Sequence, residues 1–505
     1  MPTLAETFAS ALAVENHRPW PRHAGGSDLW HSMAERVAAG QWTLSGLWGD
    51  KDAVHMALLD EAAHQFAVVT RPCPKGYFPS IGLNHPPAIR LERAIHDLYG
   101  LEPRGLPDQR PWLDHGRWGV RHPLSAHPSP TVAPEPYPFL PVEGASLDQI
   151  PVGPVHAGII EPGHFRFTAN GEAVVRLEER LGYAHKGVDG LTTGASIEQA
   201  AKLAARTSGD STVAYSLAFS RAVEAALEID VPVRAVWLRA LMAELERLAN
   251  HFGDIGAICN DVAFALMLAH CGVLRERVLR TAAACFGHRL MMDCIVPGGV
   301  DADLSAKGAA LIRDLIGAAR RAFPALVELY DDTASLQDRT VGAGFLQLAL
   351  ARQYGCGGYV GRASGRNFDA RRDLPYPPYD ALSFTVPVRE DGDVNARVWI
   401  RIHEVEQSLS LVEQILDRLL RAPGPLRAPV TAGRRGEGVA LVEGFRGDIL
   451  AIVRIDAEGR IERCHLRDPS WFQWPLLEAV IEGNIVADFP VCNKSFNCSY
   501  SGADL

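Results

Sequence analysis

The feature that most constrains this chain is a succession of long stretches whose apolar residues recur three and four apart, at 196–228, 233–268, 270–290, 302–331 and 397–421. That spacing gathers apolar side chains on one stripe of an α-helix, and several such stripes in series are best buried against one another in a bundle. The longest continuous apolar run, around Val262–Leu274, is short and contains His270, below the roughly 18–20 residues that a bilayer requires. The chain is therefore expected not to cross a membrane itself, although it can sit on proteins that do.

Other patterns surround the bundle. Phe66–Thr70 reads as a strand and Pro87–Tyr99 as a helix. Phe165-Arg166-Phe167 alternates ahead of Asn170-Gly171, the signal of a hairpin within 154–176, and Gly438–Ile455 reads as a strand pair. Eight prolines fall between Pro123 and Pro151. Proline fixes φ and donates no backbone hydrogen bond, so this stretch is expected to be an extended connector. The expected class is α+β: an α+β domain at 1–121, a linker at 122–151, and a mainly helical domain with small antiparallel sheets at 152–505.

With 47% apolar residues among 505, the chain can bury a large core. Its formal net charge of -10 argues against nucleic acid as a partner. The nine cysteines, at 73, 259, 271, 285, 294, 356, 464, 492 and 498, include no Cys-x-x-Cys pair. Such a set is no disulfide framework, and with no signal-peptide pattern at the start it fits a reducing cytosol. Phosphate-loop, dinucleotide and His-Glu-x-x-His motifs are absent, so nothing points to bound ATP or NAD.

Polar residues of chemical interest gather in four places: Gly153–His156 with Glu161–Arg166, Leu181–Gly187, Arg206–Ser211, and Cys492–Gly502. In this order, together with GPVHAGIIEPGHFRF, RLGYAHKG, ELERLANHFGDIGA, GHRLMMDCIVPGGV, VGRASG, GEGVALVEGFRGD and LRDPSW, they resemble the large subunit of membrane-bound group 4 [NiFe] hydrogenases and the 49 kDa subunit of complex I. Glu92–Leu113 resembles the complex I 30 kDa subunit. That fusion order is the one of hydrogenase-4 and formate hydrogenlyase large subunits.

The resemblance implies a metal site held by Arg-x-Cys-Gly-x-Cys and Asp-Pro-Cys-x-x-Cys. Here the first motif reads Arg206-Thr207-Ser208-Gly209-Asp210-Ser211, and the second aligns with Asn497–Gly502. Ser208, Ser211, Ser499 and Gly502 thus stand at the four thiolate positions, and Tyr215 stands at a family histidine. Nickel and iron need soft thiolates, which serine hydroxyls and glycine do not replace. Cys492 and Cys498 lack ligand spacing and read as structural or free.

By the same resemblance, the complex I quinone site would correspond to His164 paired with Asp261. A histidine and a carboxylate suit the two-proton uptake of quinone reduction. The family tyrosine of that site aligns with Gly209, however, and Glu161 is the nearest carboxylate to a family proton-transfer position that holds Pro162 or Gly163. His156, Arg206, Tyr215, Arg467 and Asp468 are the expected further cavity residues. By the resemblance Arg362–Gly365 lies near the cavity, organising loops or a proton path, with a buried ion-paired network as the plainer alternative. Glu244, Glu246 and Arg247 are relay candidates or sit on a solvated or interhelical salt-bridged helix face.

The resemblance implies a subunit in the hydrophilic arm of a membrane-bound oxidoreductase, peripheral on the cytoplasmic face. Its partners would be membrane-arm subunits and an iron–sulfur subunit of the complex I 20 kDa or hydrogenase small-subunit type. The expected chain binds no cofactor of its own apart from a quinone, the [4Fe–4S] cluster lying in the partner. The alternative is a catalytically silent scaffold of such a complex, and a third, disfavoured reading is an active [NiFe] hydrogenase.

Overall fold

In the computed structural model, residues 3–8, 11–131, 135–144, 146–157, 159–431 and 433–505 are described. The N-terminal sheet places β2 (Arg22–Ala24), β5 (Gln65–Pro72), β4 (Ala53–Asp60) and β3 (Thr43–Gly49) in that spatial order. All but the ends of β3, β4 and β5 are buried, and α1 (Ile89–Tyr99) lies beside β3. Gly100, at φ +71°, ends α1 in the left-handed conformation that glycine adopts without strain.

After Trp112 and Leu113, which are still buried, the described residues 117–131 and 135–144 run as a strap over the surface. Pro134 and Ala145 lie outside the described residues. Within the strap, the Tyr137 hydroxyl accepts from Arg93 Nη2 at 2.7 Å, and Arg180 lies 4.3 Å over the Tyr137 ring. The strap ends in β6 (Asp148–Val152), an edge strand that carries Pro151 and pairs with β7 (His164–Asn170), which in turn pairs with β8 (Ala173–Arg180). An edge position suits a proline, which has no N–H for a second neighbour. The hairpin expected around Asn170-Gly171 is β7–β8.

Helices α2 (Ile197–Ala205), α3 (Thr212–Leu227), α4 (Val233–Asp261), α5 (Ala265–Phe286), α6 (Ala306–Asp332) and α7 (Val394–Leu419) form the bundle. Ser196 begins α2 with a reciprocal capping box to Gln199, and Ser305 and Asp393 cap α6 and α7 by accepting from Gly308 N and Ala396 N. The stretch 196–228 is not one helix. It breaks at Arg206–Ser211, where serine and aspartate side chains bond one another and the Thr212 hydroxyl turns back to Ala205 O. The 233–268 stretch likewise ends early, at Asp261, before Ala263 at φ +64°.

A second sheet runs β11 (Ile461–Arg467), β10 (Gly447–Ile455), β9 (Gly436–Gly444) and, at its edge, β1 (His17–Arg18), which joins β9 in parallel from the far end of the sequence. Arg22 pairs with Glu437 beside that junction at 2.7 Å, and the Trp48 ring stacks on both His55 and His465 at 5.3 Å. The largest apolar core is continuous from Leu4 and Trp30 through the bundle to Leu505. The chain closes with α8 (Ser470–Ile481), α9 (Phe489–Phe496) and α10 (Tyr500–Asp504).

Candidate functional site: a hydrogen-bonded serine cluster

The α2–α3 break and the start of α10 meet, and they bring the four thiolate positions together. Ser499 Oγ donates to Ser208 Oγ at 3.3 Å, and Gly502 N donates to Ser499 Oγ at 2.9 Å, as an ordinary cap of α10. Ser208 and Ser211 both donate to Asp210 Oδ1, at 2.6 and 3.2 Å. Into this group comes Arg446, from the turn between β9 and β10. It donates to Asp210 Oδ1 at 2.8 Å, to Asp210 Oδ2 at 2.5 Å and to Ser211 Oγ at 3.1 Å. Burial pushes the Asp210 carboxyl up, but the Arg446 guanidinium and the two hydroxyls outweigh it and hold Asp210 well below the usual carboxylate range.

The second half of the cluster centres on Asp468, just after β11. Tyr215, wholly buried, donates from its hydroxyl to Asp468 Oδ2 at 2.5 Å. Burial and then the Asp468 charge raise the Tyr215 phenol well above its ordinary value, so it stays a donor. Asp468 also accepts from Ser470 N, and Ser470 Oγ accepts from Ser499 N, both at 2.8 Å. A Cβ added to Gly502 would lie 2.5 Å from Asp468 Oδ2 and 2.9 Å from Ser499 Oγ. Asp468 therefore fills the volume that a side chain at 502 would need.

As a metal site, the donor set consists of three hydroxyls, each already hydrogen-bonded, and a glycine whose side-chain volume is taken. These residues do not fit a [NiFe] centre. Nor do the nearby cysteines supply the thiolates: burial pushes the Cys492 thiol up to about 12 and Cys498 well above its ordinary value. All nine cysteines are free, and only Cys285 is less than fully buried.

The other expected residues are spread around this cluster. His156 Nε2 meets the Tyr500 hydroxyl at 3.3 Å, and Glu161 Oε2 accepts from Ser501 N at 3.0 Å, so the loop before β7 rests on α10. The Leu181–Gly187 motif anchors the same helix: Asp504 accepts from Gly182 N and Ala184 N, and Lys186 N and Gly187 N donate to Leu505 O. His164 is buried and packs its ring 5.0 Å from Phe139. Its Nε2 accepts from Arg166 at 3.3 Å and its Nδ1 lies 3.4 Å from Gly153 O; burial lowers its pKa. Asp261 ends α4, exposed, with Lys494 and Asn260 as its electrostatic neighbours. No described contact joins His164 to Asp261. Arg206 turns outward to Asp293 in a bidentate pair at 2.7 Å, and Arg467 bonds Asp448 and Ser45 O instead of the serines.

Glu244, Glu246 and Arg247 are not solvated: all three are buried. Glu244 pairs with Arg371 at 3.0 Å and Arg247 at 3.4 Å. Arg362 joins the same interior through Glu404 at 2.6 Å and Glu443 at 2.9 Å. Glu246 caps a neighbouring helix from the side, accepting from Val213 N at 2.7 Å and Ala214 N at 3.1 Å at the start of α3. Two residues of the cluster, Asp210 and Arg446, were missed by sequence reasoning. The signal was present in both, one lying between the two serines and the other inside GEGVALVEGFRGD.

Burial, with help from the Asp210 charge and against the two N–H donors, raises Glu246 to about 8 from an ordinary 4.5. A folded-state pKa above the unfolded one gives a contribution fully present below pH 4.5, lost progressively as pH rises and level above about 8. Glu246→Gln keeps an acceptor for the α3 N–H groups and removes the titration. Urea denaturation from pH 5 to 9 is expected to show a shallower fall in stability for this variant. An unchanged slope would exclude Glu246 as its source.

Comparison with known proteins gives the family. Residues 261–432 and 426–505 match the model of the respiratory-chain NADH dehydrogenase 49 kDa subunit, and residues 39–130 that of the 30 kDa subunit. The chain is 31% identical to hydrogenase-4 component G of Escherichia coli strain K12, over 90% of this chain and 80% of that one. It is 32% identical to an NADH-quinone oxidoreductase subunit of Roseiflexus sp. strain RS-1, over 68% and 94%. A chain of an archaeal respiratory membrane complex, the membrane-bound sulfane sulfur reductase, superposes with a TM-score of 0.67 at 26% identity, over 72% of this chain and all of that one.

The fold and these similarities thus define a subunit of the membrane-bound hydrogenase and complex I class. Within that class, the chain belongs to the family in which a 30 kDa-type and a 49 kDa-type region are fused, shared with hydrogenase-4 and formate hydrogenlyase. These relatives are subunits of multisubunit membrane-associated complexes. Among the described residues, no helix is long and apolar enough to cross a membrane.

Proposed function

We propose that this chain is a hydrophilic-arm subunit of a membrane-bound, complex I-like oxidoreductase and that it holds no [NiFe] centre. One observation carries the reading: where four thiolates would converge, Arg446 and Asp210 lock Ser208 and Ser211, and Asp468 fills the space at Gly502. A guanidinium and a phenol-bound carboxylate make this a structural network, one that ties the α2–α3 break, the β9–β10 turn and the C-terminal helix into a unit. The chain would sit peripherally on the cytoplasmic face. It would dock an iron–sulfur subunit of the small-subunit type, whose [4Fe–4S] cluster carries the electrons, and pass conformational change to membrane-arm subunits.

Metal analysis of the purified complex tests this. Nickel is expected far below one atom per chain, with iron retained by the partner, and stoichiometric nickel would overturn the reading. Restoring all four thiols (Ser208→Cys, Ser211→Cys, Ser499→Cys and Gly502→Cys together) is expected not to bring nickel in, because the fourth side chain collides with Asp468.

A second reading adds a quinone-like acceptor at His164 and Asp261. The similarity to a subunit of an NADH-quinone oxidoreductase favours it. Quinone reduction by the complex carrying His164→Ala should then fall at least tenfold, whereas unchanged turnover removes this reading and leaves the silent scaffold.

A further inference from the structure

We propose that the cleft between the C-terminal half of α3, the start of α4 and the 376–381 loop binds a small organic anion, a carboxylate or phosphate ester on an aromatic body, seated on Arg221. The cleft has a volume of about 710 Å³, within the range of small-ligand sites. Leu217, Val236 and Ala240 give it an aliphatic wall, and Trp237, Tyr376 and Tyr379 an aromatic one. It lies at the far end of α3 from the serine cluster: Arg221 is ten residues beyond Ser211, about 15 Å along a helix at 1.5 Å per residue.

The other two arginines on its lining have carboxylate partners. Arg239 grips Glu224 through two hydrogen bonds of 2.9 and 2.5 Å and also donates to Gly299 O and Val296 O. Arg18 pairs with Glu228. Arg221 differs. Among the described residues it has no hydrogen bond and no ion pair, and its buried Nε lacks any acceptor. Its guanidinium lies over the Tyr376 ring, 4.6 Å from the centroid. The rim acids do not supply the partner: Asp230 and Asp380 are exposed, and Asp380 is felt by Arg221 without pairing.

Leaving a guanidinium edge unpaired in a desolvated wall is unfavourable. A planar fork with one face on an aromatic ring and its edge toward a cleft is matched by the two oxygens of a carboxylate or phosphate. The neighbouring Trp237 and tyrosines then receive the apolar body of the ligand. Burial lowers the Arg221 pKa, helped by the Arg239 charge and opposed by Tyr376, Glu224 and Asp380.

The full chain, titrated with benzoate, phenyl phosphate and inorganic phosphate, tests the proposal by calorimetry and by melting temperature. Benzoate or phenyl phosphate should bind saturably and raise the melting temperature, and whichever binds tighter identifies the anion. Inorganic phosphate, lacking the ring, should bind at least tenfold more weakly than phenyl phosphate. Arg221→Gln should lose at least tenfold in affinity yet melt, without ligand, at or above the temperature of the unsubstituted chain, since an unpaired, half-buried charge is gone. Arg221→Lys should retain part of the affinity. Absence of binding at millimolar aryl anion, equal affinity in Arg221→Gln, or a marked drop in its unliganded melting temperature would each overturn the proposal, the last by assigning Arg221 a structural role.

Discussion

Arg362→Met is expected to lower the stability of this chain by about 3–5 kcal/mol, the range for stripping one partner from a buried ion-pair network. Arg362 is wholly buried and donates to Glu404 at 3.0 and 2.6 Å, to Glu443 at 2.9 Å and to Phe368 O at 3.0 Å, with Asp369 at 3.6 Å. Methionine fills similar space but leaves these carboxylates facing one another. Glu443 would suffer most, because burial and then the Asp369 charge already push it up to about 7 with Arg362 in place. Against a typical total stability of about 5–15 kcal/mol, such a loss shifts the urea midpoint severely. Arg362→Met combined with Glu443→Gln should recover part of it, since the two residues share one network. A single variant within about 0.5 kcal/mol of the parent chain would refute the network's role.

Gly438→Val is expected to be severely damaging by a different mechanism. Strand β9 lies so close on α3 that a Cβ at 438 would sit 1.8 Å from Ala222 O and 2.7 Å from Ala226 N. Those atoms are helix backbone, which cannot rotate aside as a side chain would. The cost should therefore reach or exceed the upper end of the usual overpacking range of about 1–3 kcal/mol. Gly209→Ala is the control. It stands in the family motif at the α2–α3 break, but nothing lies within 4 Å of its added Cβ, so a change within about 0.5 kcal/mol is expected. Denaturant midpoints of the two variants check both statements, and equal losses would show that the close approach of β9 to α3 is not what Gly438 provides.

The helices of the bundle were evident in the sequence because apolar spacing reports burial on one face, and α4 to α7 lie where that spacing put them, with ends displaced by up to seven residues. The α2–α3 break was hidden. Leu203, Ala204, Val213, Ala214 and Leu217 carry the period across it, while the bend itself is made by side-chain bonds among Ser208, Asp210 and Ser211. The family motifs identified the four altered ligand positions but not what replaced the ligands. Arg446 stands 236 residues from Asp210, a pairing that no local pattern encodes. At Glu244 and Arg247 the spacing left a solvated and a salt-bridged face open; the salt-bridged one is found, with partners, Arg371 and Glu404, that lie far away in the chain.

The stack of Trp48 on His465 joins regions that correspond to two separately described subunits, of 30 and 49 kDa, in the respiratory chain. Between separate chains, such a junction would come apart on dilution with a measurable dissociation constant. On one polypeptide, reclosure is intramolecular and independent of protein concentration. The two regions are made in equal number by a single act of translation, and neither can be exchanged, titrated away or replaced without the other.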